Sequence, residues 1–286
     1  MNQTTIKESC MLPGGVGLHS GQKSNLLFYP APANHGIVFY RSDKEINIPA
    51  NYKYAKPSPL CTTIEKEGIG VSTIEHLLSV CNGLGIDNLL IEIQAEEVPI
   101  MDGSGSDFHS FLKQAGLKQL DEPRKIIKIT DVIKYEENDI LIYATPSEES
   151  TFTFSVDYEH KQIGQQEFSF RFTEKDYEEQ IVRAKTFGFM KEVSDLQQQG
   201  LIKGGSRDNA IILNEDGDFD NIEVMTWLNE PNLHKVLDQI GDFYLADNLR
   251  IIGNIFSHKS GHSSHLAFIQ FMMDECQDKF TIQEQY

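Results

Sequence analysis

Short β-like runs of apolar residues fill the first quarter of the chain. Asn25 to Tyr29, Ile37 to Tyr40 and Cys61 to Glu65 read as strands, punctuated by Gly14-Gly15 and several prolines. The period then changes. Ser72 to Cys81 (STIEHLLSVC) carries its apolar residues at helical spacing, Asp87 to Gln94 (DNLLIEIQ) reads as a strand, and Asp107 to Ala115 reads as a helix behind the Gly103/Gly105 turn. The same order returns after a charged junction at Asp121 to Arg124. Ile126 to Thr130, Ile140 to Ala144, Thr151 to Asp157 and Gln166 to Phe172 predict strands, and Asn232 to Ala246 predicts a long helix opened by Pro231, whose fixed φ suits a first turn. Leu249 to Ser257 predicts a strand and His262 to Met273 a closing helix. Between Glu178 and Leu213 lies a segment without counterpart in the first half, read as helix then strand and as a candidate substrate-binding insert.

This order predicts an α+β fold of two similarly built domains, 1–121 and 122–286, each a sheet packed with helices. With 286 residues, 40% of them hydrophobic, a sizeable core can form. The balance of 25 Lys plus Arg against 43 Asp plus Glu gives a formal charge of −18. A duplex-binding surface needs a basic patch and a polybasic anchor needs clustered cations; the sequence has neither, so no nucleic acid is expected as a partner. MNQTTIKESC lacks an apolar signal core, and no apolar run approaches the roughly 18 residues that span a bilayer. The expected location is cytoplasmic, and a monomer is favoured. Cys10, Cys61, Cys81 and Cys276 form no C-x-x-C pair, so reduced thiols are expected.

Most of the chemistry concentrates in His234-Lys-Val-Leu-Asp238. Residues four apart on a helix lie about 40° apart in projection and can converge on one ion. A catalytic zinc site uses three protein ligands and leaves a position for water, so a third ligand must come from elsewhere. His76 is the candidate, because it occupies the first predicted helix of one domain as His234 occupies the corresponding helix of the other. A pseudo-symmetric interface would bring them together. Among nine histidines, H-x-x-x-D spacing alone arises easily by chance. Glu75 adjoins His76 and suits a base that takes a proton from an activated water. Ser72-Thr-Ile-Glu75 fits an S-x-x-E capping box equally well. Ser72 also stands where the H-x-x-E-H pattern has its first His, which weakens a peptidase reading. Asp242 lies on the same helical stripe as Asp238, and His262 opens the last predicted helix. A His⁺ stabilised by a carboxylate can donate a proton to a leaving amine or support an oxyanion.

Eight collinear blocks carry a family resemblance: GVGLHSG (Gly15 to Gly21), STIEHLLS (Ser72 to Ser79), GLGIDN (Gly83 to Asn88), EVPIMDGS (Glu97 to Ser104), AKTFGFM (Ala184 to Met190), LIKGGSRDNAI (Leu201 to Ile211), HKVLDQIGD (His234 to Asp242) and KSGH (Lys259 to His262). Together they resemble the UDP-3-O-acyl-N-acetylglucosamine deacetylases from about residue 4 to about residue 272. The resemblance implies a zinc amidase that removes the N-acetyl group in an early, committed step of lipid A synthesis, with two α+β domains clasping the site.

Carried over block by block, it implies His76, His234 and Asp238 as zinc ligands and Glu75 as the base. Thr186 becomes the oxyanion donor, His262 the proton donor to the amine, Asp242 the group that holds His262 cationic, and Lys235 a substrate-facing cation. The stretch from Phe187 to Ile212, Gly205 included, resembles a hydrophobic acyl passage. Lys259 is a candidate for the nucleotide phosphates, His160 a weaker one, and His19 is a candidate to line the site. His35, His109, His258 and His265 match no functional position. Departures from the family pattern fall at Leu233, where an Arg is common, at Lys161, at Gly105-Ser106-Asp107 and at Arg207, which puts a cation beside the passage. Iron can occupy such a His/carboxylate site, since ligand type selects metals only loosely. Two further readings remain: a divergent paralogue that binds or regulates, and a zinc amidase for another acylated amine.

Overall fold

The computed structural model describes every residue except Pro59, Glu215 and Tyr286. The first half runs β1 (Asn2–Ile6), the hairpin β2 (Cys10–Val16) and β3 (Lys23–Pro30), the pair β4 (Ile37–Arg41) and β5 (Ile46–Pro49), and a ribbon of β6 (Ala55–Lys56), β7 (Thr63–Lys66) and β8 (Ile69–Val71). Then come α1 (Glu75–Leu84), β9 (Leu89–Ile93), α2 (Ser106–Gln114) and β10 (Leu117–Pro123). The second half runs β11 (Lys125–Ile129), β12 (Ile133–Glu137), β13 (Ile140–Thr145), β14 (Ser150–Asp157), β15 (Gln165–Arg171), α3 (Glu174–Gln180), β16 (Phe187–Phe189), α4 (Met190–Gln198) and β17 (Ile211–Leu213). It ends with α5 (Glu230–Phe243), β18 (Arg250–His258), α6 (His262–Glu275) and β19 (Phe280–Glu284).

The two halves share one connectivity. In the first sheet the order is β2-β3-β9-β4-β5, antiparallel except where β4 lies parallel to β9. In the second, β12 pairs antiparallel with β13, β13 with β18, β18 lies parallel to β14, and β14 pairs antiparallel with β15. Each parallel pair requires a crossover, and α1 and α5 lie within the two crossovers. That places them as equivalents. β11 and β19 extend the second sheet beyond β18.

The core forms where the alternation is cleanest. Along β14, Phe152, Phe154 and Val156 point inward while their neighbours are half-buried or exposed, and the two Phe rings pack near α5 and α6 through Phe243 and His265. Helices α1 and α5 pack against each other, and every residue of α1 and every residue of α5 except Lys235 is buried. Helices buried all round are normally apolar. These carry Glu75, His76, His234, Asp238 and Asp242, so their contact must supply partners for ionisable groups.

Several expectations need correction. Helix α1 begins at Glu75, and the capping box does not form: Ser72 donates both its main-chain N–H and its hydroxyl to the Glu96 carbonyl, which leaves the Glu75 carboxylate for other use. The insert is strand, helix, strand, because the apolar triplet Phe187–Phe189 pairs in parallel with Ile211–Leu213 across α4. The charged junction is strand as well: β10 pairs antiparallel with β1, from Asn2 opposite Pro123 to Ile6 opposite Leu117, so a division at 121/122 falls inside β10. β12 and β19 escaped the pattern because each buries a single residue, Ile133 and Phe280. All four cysteines are free thiols. Among the described residues no helix is long and apolar enough to cross a membrane.

Gly241 sets how closely α5 approaches α1. A Cβ there would sit 2.0 Å from the Glu75 carbonyl oxygen and 3.0 Å from Ser79 N, both backbone atoms that cannot swing aside. Gly241→Ala should therefore cost about 3 kcal/mol, the upper end of the overpacking range. Chemical denaturation measures it; a loss below about 0.5 kcal/mol would mean that the helices part easily.

Candidate metal centre

The first turn of α1 presents Glu75 and His76, and successive turns of α5 present His234 and Asp238. The ligand-type atoms of His76, His234 and Asp238 all lie within 4.8 Å of one another, and all three residues are buried. Asp238 Oδ1 is 3.3 Å from His234 Nε2 and 3.6 Å from His76 Nε2, with the two rings nearly perpendicular at 88°. His234 Nδ1 lies 3.0 Å from the Ala184 carbonyl, which can only accept. The proton therefore sits on Nδ1 and the Nε2 lone pair faces the cluster.

Asp238 Oδ2 accepts from Lys235 Nζ at 3.0 Å, whereas buried Oδ1 has no hydrogen-bond partner among the described residues. An ionised oxygen left bare in the interior is costly. Two imidazole nitrogens beside it make a donor set suited to a divalent transition metal, which would satisfy that oxygen. Protonation states agree. Burial drives His234 down to about 3, keeping it neutral, while the cationic Lys235 and His262 overcome burial at Asp238 and hold its carboxyl well below the usual range. Burial works against the Lys235 ammonium too, but Asp238 more than compensates and keeps it charged.

A second constellation lies beside the first. Glu75 Oε2 accepts the Thr62 N–H at 2.9 Å; burial raises its pKa, opposed by His262 and His76. One turn beyond Asp238, Asp242 Oδ2 receives His262 Nδ1 at 2.9 Å and His265 Nδ1 at 2.7 Å, while Oδ1 receives the Thr62 hydroxyl. Burial disfavours the charge on Asp242, but the imidazoles hold it far below the ordinary carboxylate value. Burial disfavours the charge on His262 as well, yet Asp242 and Glu75 push it up to about 9. Its Nε2 lies 3.9 Å from Asp238 Oδ2, so the ring bridges the two constellations.

Glu75, His76, His234, Lys235, Asp238 and His262 line one cavity of about 230 Å³, together with Thr186 and Phe187. Thr186, Phe187, Gly188 and Leu18 also line a neighbouring apolar cavity of about 280 Å³, whose remaining wall includes Met190, Val193, Ile202, Gly205 and Ile212. Asp242 sits behind the first cavity rather than in its wall. His19 is not in the lining, although its neighbour Leu18 is, and its main-chain N–H is held by Glu97 Oε1 at 2.9 Å. His160 packs against Phe189 at 5.7 Å, outside the lining. Lys259 pairs with Asp157, 2.8 Å away, and is absent from the cavity wall. His265, which matched no functional position in the sequence, shares Asp242 Oδ2 with His262. H-x-x-H spacing, which puts both rings on one face of α6, was the sequence signal for it. Thr62 and Tyr158, also near the site, carried no such signal.

Fold and centre together define a class: a two-unit α+β protein whose equivalent helices close on a buried His-His-Asp cluster. The chain belongs to the LpxC family, described as UDP-3-O-acyl N-acetylglycosamine deacetylase, whose pattern matches residues 3–274. It is similar to the UDP-3-O-acyl-N-acetylglucosamine deacetylase of Nautilia profundicola, 40% identical over 286 residues, 100% of this chain and 97% of the relative. The protein of that name from Pasteurella multocida is 41% identical over 273 residues, 92% of this chain and 87% of its own. That from Helicobacter pylori is 36% identical over 278 residues, 97% and 93% respectively.

The cluster predicts about one tightly held divalent ion per chain. His76→Ala and Asp238→Ala should each lose it in elemental analysis, while Glu75→Gln should retain it. Stoichiometric metal in either alanine variant would move the ion elsewhere.

Proposed function

We propose that the chain hydrolyses the N-acetyl group of UDP-3-O-acyl-N-acetylglucosamine to acetate and the free amine, as in lipid A synthesis, using zinc held by His76, His234 and Asp238. The observation that carries this reading is the meeting of a buried donor set, a separate carboxylate and a cationic imidazole on one cavity that adjoins an apolar one. When bound, the ion supplies Lewis acidity and a water of lowered pKa.

The remaining steps belong to the protein. Glu75, outside the donor set, takes the proton of the attacking water, and burial makes it a stronger base than an exposed carboxylate. Thr186 lines both cavities, where its hydroxyl donates to the acetyl oxygen as negative charge develops. His262, kept cationic by Asp242, gives its proton to the departing amine. Lys235 holds Asp238 Oδ2 and brings positive charge to the cavity of a protein with formal charge −18, which otherwise repels the nucleotide phosphates.

The apolar cavity takes the 3-O-acyl chain, with about 0.8 kcal/mol gained per buried CH₂. Arg207, exposed, and Asp220, half-buried, form an ion pair and also line it. Arg207→Ala should change the relative kcat/KM of substrates differing in acyl length; an identical length profile would detach Arg207 from selectivity.

Acetate release from the UDP-sugar by purified, zinc-loaded protein tests the function directly, and zinc without turnover refutes it. Glu75→Gln and His262→Ala should each lower kcat about 10²–10⁴-fold, the usual scale for a lost acid or base. The pH profile should be bell-shaped. Its acidic limb, from protonation of Glu75, should lie above the ordinary carboxylate range because the pKa of Glu75 is raised. Its basic limb should lie near pH 9, where His262 loses its proton. Removing a negative neighbour destabilises the cation, so Asp242→Asn should move the basic limb to lower pH. An unchanged basic limb in His262→Ala would assign that titration to another group.

A further inference from the structure

We propose that His265 is a positioning residue for this reaction, the N–H donor that holds the Asp242 carboxylate in the orientation that aims His262 at the cavity. The inference rests on the role given above to His262. His265 stands one turn beyond His262 on α6 and is fully buried, at 0% exposure. Its Nδ1 is 2.7 Å from Asp242 Oδ2, closer than the 2.9 Å made by His262 to the same oxygen. Its Nε2 is 2.9 Å from Ser260 Oγ.

These contacts fix the tautomer. An ionised carboxylate only accepts, so the His265 proton facing it is on Nδ1. Burial lowers the pKa of His265, so the ring is neutral and Nε2 accepts the Ser260 hydroxyl. The ring lies edge-on to Phe154 at 6.1 Å and 89° and to Phe243 at 5.6 Å and 82°, which restrains its plane. An apolar side chain would fill a space between two phenyl rings with no polar group to desolvate. What a histidine adds there is its pair of directed hydrogen bonds.

Asp242 is thus gripped from two sides. Thr62 holds Oδ1 and His265 holds Oδ2, so the carboxylate cannot turn about its Cβ–Cγ bond without breaking two bonds, and Oδ2 stays aimed at His262 Nδ1. That fixes His262 with Nε2 on the cavity side, 3.9 Å from Asp238 Oδ2. Partners of this kind commonly hold catalytic groups in productive geometry.

The test compares His265→Leu and His265→Asn with wild type, all zinc-loaded, by kcat, KM, metal content and Tm. The leucine variant should lose ten-fold or more in kcat with KM and metal content unchanged. The asparagine variant, whose amide N–H replaces the Nδ1–H, should recover most of that loss. Full kcat in folded His265→Leu overturns the proposal. Equal kcat losses in both variants, in step with lowered Tm, overturn it too, since they mark a packing role. If His265→Leu does not fold, Ser260→Ala, which frees the far side of the ring, should lower kcat several-fold at constant KM; unchanged kcat counts against the proposal. Independently of turnover, nitrogen-15 NMR of wild type should show His265 neutral with its proton on Nδ1, and a proton on Nε2 alone overturns it. Wild type that releases no acetate would instead refute the functional reading, leaving the NMR result to decide the donor.

Discussion

Everything at this site depends on a close contact between two helices buried almost all round. Gly241 lets the backbone of α5 come within reach of the Glu75 carbonyl, and in that gap five ionisable side chains are taken out of water. Isolated charges there would be prohibitively costly, so each must find a partner. The duplicated connectivity makes the arrangement possible, because the crossover helices of two like sheets meet face to face.

Asp238 and Asp242 stand one turn apart on the same helix, yet their surroundings separate their roles. Asp238 has Lys235 on one oxygen and two imidazole nitrogens near the other, which lacks a hydrogen-bond donor among the described residues. Asp242 has three donors and no bare oxygen. The first environment suits a metal ion, and the second suits holding a proton on His262. Both carboxylates stay ionised in the interior, but one has an oxygen open toward two imidazoles and the other has both oxygens held.

The same logic puts a cation in the cavity of an acidic protein. Overall charge repels anions at long range, whereas Lys235, held cationic by Asp238, places positive charge in the cavity wall itself. Lys259 pairs with Asp157 outside that wall. The insert is a separate matter: its β16 and β17 frame an apolar cavity that shares Thr186 and Phe187 with the cavity of the His-His-Asp cluster.

Periodicity alone picked out the better-buried strands and the helices α1, α2, α5 and α6, the correspondence of the helices bearing His76 and His234, and the His234/Asp238 stripe, because these show in side-chain spacing along the chain. The collinear blocks carried the family. Edge strands such as β12 and β19 were invisible, since burying a single residue leaves no period to read. The Ser72/Glu75 capping box was locally sound and still failed, because Glu96 captured Ser72 from a distant segment and Thr62 offered Glu75 a buried N–H. Long-range pairing also placed two further groups: Asp157 pairs with Lys259, and Asp242 takes up His265 beside His262. Sequence determines which groups are available and on which face of an element they lie. Only the tertiary structure decides which of them share an oxygen atom, because burial forces every charged group to take the nearest partner the packing provides.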